Sequence, residues 1–235
     1  MKRLSFLSHS FFTLSFAILA GCSTTQQVVV PADISDATNV IVATDRSAWS
    51  GAMADETFTL GQYKVIEVDR DWDSSSSSAL TVSKLKLASG KTKGGYAYKL
   101  QTSTSQLSGV CSSKLADGSL GMSGITISTK DSELNCVCSA GKSDVSTVMV
   151  QADASDEYTG TLQAGGQSYK VVSLKERAGV LSMGPSGYRV DSDKPVGAVE
   201  VLKPGRIWLG KSLGQADKDA LACSFVGLML YLPAN

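Results

Sequence analysis

The run Ala220-Leu221-Ala222-Cys223-Ser224-Phe225-Val226-Gly227-Leu228-Met229-Leu230 decides how the rest of the chain must be arranged. From Ala216 to Leu232 no turn signal interrupts, Asp217 and Asp219 sit where acids favour a helix start, and Pro233 closes the stretch. The resulting helix is apolar on nearly every face, and such a helix is stable only when covered on all sides. Its roughly 13 apolar residues are too few to cross a bilayer, which takes about 20. The reading is a core helix wrapped by the remainder of the chain.

That remainder is written in strands. Short alternating or apolar runs recur between Gly, Ser, Asp and Asn clusters, at Phe58–Leu60, Tyr63–Val68, Leu80–Leu87, Tyr96–Leu100, Gly124–Ser128, Val145–Gln151, Tyr169–Leu174, Tyr188–Val190 and Val196–Leu202. Lys203-Pro204-Gly205-Arg206 has proline and glycine at the two central positions of a turn, which predicts a hairpin joining Val199–Leu202 to Ile207–Leu209. The expected fold is therefore mainly β, an antiparallel sheet or barrel, with a buried C-terminal α-helix.

A faint internal echo suggests a duplicated unit. Asp55-Glu56-Thr57-Phe58 with Gly61-Gln62-Tyr63-Lys64-Val65-Ile66 is matched, in order, by Asp156-Glu157-Tyr158 with Gly166-Gln167-Ser168-Tyr169-Lys170-Val171-Val172. Gly95-Tyr96 then answers to Gly187-Tyr188, and Leu134-Asn135-Cys136 to Leu221-Ala222-Cys223. The halves would be 53–150 and 155–235 of one domain at 51–235, and a disulfide between them becomes attractive. The sheet-around-helix layout, with the Gly187-Tyr188-Arg189-Val190 strand and the terminal helix, resembles the tubby-like and scramblase-like barrels. Those families are associated with membrane lipids; the resemblance carries no specific motif and assigns no binding residue.

The other end of the chain gives an address. Lys2 and Arg3 precede a largely apolar stretch that ends Leu19-Ala20-Gly21-Cys22, the layout of a secretory signal. Ser8, His9, Ser10, Thr13 and Ser15 make it a poor permanent span. The ending resembles the lipobox of bacterial lipoproteins, which implies cleavage before Cys22 and three acyl chains on that residue. One chain alone anchors only marginally, at about 0.8 kcal/mol per buried CH₂. Ser23, rather than Asp, favours the outer membrane of the envelope. Residues 22–50 are expected to form a mostly polar tether, in which Val40–Val42 adds at most an edge strand.

Cleavage changes what chemistry is available. Residues 1–21 hold the only histidine, His9, so the mature chain has no imidazole for a Ser-His-Asp or Cys-His system or for a zinc or copper site. Removing Lys2 and Arg3 from 22 basic residues leaves 20 against 22 acids, and no basic cluster stands out, which argues against a nucleic-acid partner. Setting Cys22 aside leaves Cys111, Cys136, Cys138 and Cys223, an even set that suggests two disulfides among three connectivities in an oxidising compartment. Cys136 and Cys138 point the same way on a strand, so each is expected to reach a separate partner rather than the other. The competing use of Cys136-Val137-Cys138 is a soft-metal site, for which no third ligand type lies nearby.

The remaining candidates read blandly. Asp69-Arg70-Asp71-Trp72-Asp73 before Ser74–Ser78 places alternating carboxylates as a calcium loop does, but lacks the glycine and glutamate such a loop needs. It is expected to be a solvated hairpin tip. Cys111-Ser112-Ser113-Lys114 lacks the helix and further motifs of serine–lysine enzymes. Trp49, Trp72 and Trp208 are scattered, and Trp208 fits a sheet face or core. The expectation is a lipid-anchored envelope protein with a binding or structural role, no cofactor, and an envelope protein or polymer as partner. The alternatives are a carboxylate-based enzyme of envelope polymers or lipids, and a small-ligand carrier.

Overall fold

The structure, a computed structural model, describes residues 27–46, 56–71, 86–88, 94–115, 118–122, 125–129, 132–152, 157–177, 180–181 and 184–231. In chain order the elements are α1 (Ala32–Ala37), β1 (Thr38–Thr44), β2 (Glu56–Leu60), β3 (Tyr63–Asp71), β4 (Lys86–Ala88), β5 (Gly94–Gln101), β6 (Gln106–Leu115), β7 (Gly118–Met122), β8 (Ile125–Thr129) and β9 (Ser132–Ala140). There follow β10 (Ser143–Ala152), β11 (Tyr158–Ala164), β12 (Gln167–Leu174), β13 (Glu176–Arg177), β14 (Val180–Leu181), β15 (Gly187–Asp191), β16 (Pro195–Glu200), β17 (Arg206–Gly210) and α2 (Gln215–Leu230).

Twelve of the strands close a barrel in the order β1-β17-β16-β15-β12-β11-β10-β9-β6-β5-β3-β2. All pairings around it are antiparallel. The fold class expected from the sequence is the one found. A closed barrel has no edge strand to protect, and at this strand number its lumen is wide enough that something other than wall side chains must fill it. Here α2 does so: every residue from Asp219 to Leu230 is buried. Alternate wall residues such as Phe58, Leu60, Val65, Leu100, Leu134, Val150, Leu162, Val171 and Ile207 form one core with it.

The two ends of the barrel differ. At one end the strands turn round through two to four residues, at 61–62, 102–105, 141–142, 165–166, 192–194 and 211–214. At the other end the connections run from five residues, at 153–157 and 201–205, to twenty-two, at 72–93. Helix α2 enters at the tight-turn end and finishes at the long-connection end. The separate three-stranded sheet β4-β7-β8 belongs to these connections, and its strand β7 touches β6 and β9.

β16 and β17 pair as the expected hairpin, with Val199 opposite Ile207 and Gly205 at φ +96°, but Val201 and Leu202 fall outside the strand and the connection is the five residues 201–205 rather than a turn at 203–206. Two of the matched segments fall in comparable elements: the first lies in a tight hairpin, β2–β3 or β11–β12, and the second in the next barrel strand, β5 or β15, which brings Tyr96 or Tyr188 to the core. The last match fails, because Leu134-Asn135-Cys136 lies in strand β9 and Leu221-Ala222-Cys223 in helix α2.

Two expectations are corrected. The described part of 22–50 is built into the domain rather than leading to it: β1 pairs with β17 from Thr38 to Val42 and with β2 at Ala43 and Thr44, so Val40–Val42 closes the barrel instead of lining an edge. Upstream, Val28 bridges to Arg177, and Val28, Val30 and Ile34 pack on the outer face of the wall against Leu174, Ala198 and Trp208. The cause is that Trp208, pointing out between inward Ile207 and Leu209, leaves an apolar outer patch that needs a cover. Second, Asp69-Arg70-Asp71 is not a solvated tip. It continues β3, opposite Ala97, Tyr96 and Gly95. Trp72, Asp73 and Ser74–Ser78 lie outside the described residues, as do Trp49 and Cys22.

Candidate functional site

The most elaborate chemistry lies in the lumen, where the wall grips α2 at three levels. At the long-connection end, Glu56 is held between two arginines: Arg46 Nε donates to its Oε1 at 2.9 Å and Arg70 Nη2 to its Oε2 at 2.9 Å. The same guanidinium groups cap the helix. Arg46 Nη2 donates to the Met229 carbonyl at 2.9 Å and Arg70 Nη1 to that of Leu230 at 2.9 Å. The last four carbonyls of a helix lack internal partners and carry partial negative charge, so cations belong there. No basic residue stands in the last turn of α2 itself, and the wall supplies the charge instead.

A bulge explains why Arg70 reaches this point. In β3 Tyr63 and Val65 face inward, and an ordinary strand would keep odd positions inside. The register shifts between Ile66 and Asp69, with Glu67 at φ +52°, so that Val68 and Arg70 face inward instead. The side chains of Arg46 and Glu56 are each only 1% exposed. Burial alone would push the Glu56 carboxyl up, but the two arginine hydrogen bonds and charges outweigh it and hold it below the usual range. Arg46 and Arg70 also lie over the Phe58 and Tyr96 rings, at 5.2 and 5.6 Å.

Midway down, Tyr96 Oη donates to the Gly227 carbonyl at 2.5 Å and Tyr98 Oη to the Cys223 carbonyl at 2.6 Å. Burial pushes both phenols well up, so they remain donors. All four cysteines are paired, as Cys111–Cys136 and Cys138–Cys223. Cys136 and Cys138 thus reach separate partners, as their strand spacing predicts. Cys111 and Cys136 sit opposite each other on β6 and β9, whereas Cys138–Cys223 ties the wall to the helix.

Gly227 is where helix and wall come closest. A Cβ there would stand 2.9 Å from Cys136 Sγ, 3.0 Å from Cys111 Sγ and 3.1 Å from Tyr98 Oη. Alanine would gain about 1 kcal/mol of helix propensity. Against that, disulfide and phenol are both fixed, and overpacking a full core costs about 1–3 kcal/mol. Gly227→Ala is expected to lower stability by about 1 kcal/mol net and Gly227→Val by about 3 kcal/mol or more, read as a drop in the urea midpoint at constant slope. A Gly227→Ala protein more stable than the parent would show that the wall can yield here.

At the tight-turn end the grip is a set of hydroxyl and amide contacts, with the carboxylate of Asp219 on the helix side. Ser146 Oγ donates to the Ala220 carbonyl at 2.9 Å and lies 2.8 Å from Ser224 Oγ. Gln215 Nε2 donates to Asp219 Oδ1 at 2.6 Å, and burial, joined by the Asp219 carboxylate and opposed by the hydrogen bonds of Gln62 and Gln215, pushes the neighbouring Tyr63 phenol up to about 12. A cleft of about 330 Å³ opens beside this rim, between Asp144–Thr147 and Gln163–Ser168. Its one carboxylate is Asp144, raised by burial, both of whose oxygens are buried without a hydrogen-bond partner. The other lining residues bring hydroxyls, amides, two glycines and the apolar side chains of Val145 and Ala164.

Of the residues singled out from the sequence, the four cysteines are brought to the lumen and Trp208 to the outer face. Arg46, Glu56, Tyr96 and Tyr98 were missed as a group. They are spread over more than fifty residues and share no motif, and only the barrel brings them together. No group of three or more His, Cys, Asp or Glu side chains is placed to hold a metal ion among the described residues. Compared with protein-family models, curated protein sequences and solved structures, the chain matches none.

Proposed function

We propose that this chain is a bacterial envelope lipoprotein, anchored through acyl chains on Cys22 to the outer membrane, whose barrel has a binding or structural role rather than a catalytic one. The observation that carries the reading is the Leu19-Ala20-Gly21-Cys22 ending of a basic, then apolar, N-terminus. The disulfides support export, since buried structural bridges persist in oxidising compartments. The barrel closed around an apolar terminal helix is also consistent with the architectural resemblance to tubby-like and scramblase-like barrels, from which no activity is carried over.

The interior weighs against one rival role: a carrier takes a ligand where α2 already sits.

Membrane fractionation tests the address. Cys22→Ser is expected to move the protein from the membrane pellet to the soluble envelope fraction, or to leave it as an uncut precursor about 21 residues heavier. A variant that is still cut and still carries acyl mass would rule out Cys22 as the anchor.

A further inference from the structure

Resting on the lipoprotein reading, we infer that the barrel is held against the bilayer by one defined face: the outer surface of β1 and the N-terminal strap, at the long-connection end, where Val29, Val40 and Val42 are exposed.

Two separate observations converge on it. The first is where the tether leaves the domain. Gln27 Oε1 accepts from Arg206 Nη1 at 3.1 Å, the Val28 carbonyl accepts from Arg206 Nη2 at 3.2 Å, and Val28 N–H donates to Glu200 Oε1 at 2.7 Å. Glu200 ends β16 and Arg206 begins β17, so this clasp fixes Gln27 beside the long-connection end. Glu200 is itself buried and bound to the same guanidinium, at 2.7 Å from Nε. Four residues, or five steps along the chain at about 3.5 Å each, separate Gln27 from Cys22, a reach of roughly 17 Å at full extension. A tether that short leaves the opposite, tight-turn end unable to turn toward the anchor, because the barrel wall stands between.

The second observation is the distribution of exposed apolar side chains. Among the described residues the large exposed hydrophobics are Val29 at 43%, Val40 at 53% and Val42 at 48%. A lone exposed valine means nothing. These three gather round one clasp: Val42 pairs with Arg206, Val40 with Trp208, and Val29 follows Val28. Outward valines on a strand whose other face is core are a surface that water covers poorly and a lipid interface covers well. The acyl chains provide the affinity, and the short tether and the valines choose the side.

Photolabelling tests this on the full acylated protein in vesicles of phosphatidylethanolamine and phosphatidylglycerol containing a diazirine lipid reactive near the headgroup. Intact mass first establishes acylation of Cys22; an unacylated cysteine overturns both the address and the orientation. With acylation established, adducts are expected to fall on 27–44 and 200–208 at least tenfold more often than on the turns at 61–62, 141–142, 165–166 and 192–194. A Val40→Asp/Val42→Asp protein, still acylated, is expected to lose most adducts on β1. Adducts spread evenly over both ends, or concentrated on the tight turns, overturn the orientation while leaving the lipoprotein reading intact. Crosslinks from β1 to a protein or to a second copy, in place of lipid, overturn it equally.

Discussion

Glu56→Gln is expected to cost about 3–5 kcal/mol of folding stability, the cost of leaving a buried charge without its partner. The substitution keeps the shape of the side chain and removes its charge. Arg46 and Arg70 then face each other across a neutral amide in a nearly dry site: its one oxygen accepts from one arginine, its NH2 opposes the other, and the Pro204, Met229 and Leu230 carbonyls supply no compensating charge. Arg46, lowered by burial first and then by Arg70, has Glu56 as its one carboxylate partner among the described residues. Chemical unfolding in urea checks the magnitude, and a loss below about 1 kcal/mol would place the cluster with exposed ion pairs, whose usual worth that is.

The same group sets a pH dependence. The folded Glu56 carboxyl titrates below its ordinary value of 4.5, so the native state binds its proton less tightly than the unfolded chain does. Stability from this group is therefore complete above pH 4.5 and is lost as pH falls below it through the folded value. In Glu56→Gln that component of the acid lability should be absent. Asp144 acts in the opposite sense: with its folded pKa raised, its penalty is full above the folded value and relieved as pH falls.

The second large effect concerns the Cys138–Cys223 bridge. It closes 85 residues, against 25 for Cys111–Cys136. On chain entropy alone the longer loop is worth roughly 4.5 kcal/mol and the shorter roughly 3.5. Cys138→Ala/Cys223→Ala is accordingly expected to be the more damaging pair by about 1 kcal/mol. It also frees the helix from the wall at the level where Tyr98 holds the Cys223 carbonyl. Melting of both double variants beside the parent gives the order. If removing Cys111–Cys136 proves worse, the strand-to-strand bridge, not the wall-to-helix one, braces the barrel.

How much of this could be read from residues follows from what each element shows. The terminal helix was legible because its apolar residues run unbroken on every face, a pattern that only a surrounded helix can satisfy. Strands with large inward side chains, such as Tyr63–Val68 and Tyr169–Leu174, were legible from alternation. Three barrel strands were not. In β6 the inward positions include Leu107, Gly109 and Cys111, and Gly109 is small because the Tyr98 ring occupies the space a Cβ there would enter. In β9 only Cys136 and Cys138 were placed on a strand, because the polar residues Ser132, Asn135 and Ser139 mask the alternation over the rest of Ser132–Ala140. In β11 only Leu162 and Ala164 are fully buried, with Gly160 pressed on the Met149 carbonyl.

The candidate site was half legible. Even cysteine count and two-residue spacing pointed to disulfides and to separate partners, but the pairing needed the fold. The ionic cluster was not legible at all. Arg70 sits in a run of aspartates that looks solvated, and only a one-residue bulge turns it inward.

The pairing of β1 with β17 has a consequence for how the molecule comes into being. The first and last strands of the wall are neighbours, and the lumen is filled by the helix that follows the last of them. A chain made as far as β16 therefore cannot assemble a finished core, since both the closing seam and the plug come after it. Contacts between such distant parts of a sequence are slow to form. Folding must wait for β17 and α2, and a truncation that removes β1 or α2 is a defect of the whole barrel rather than of one element.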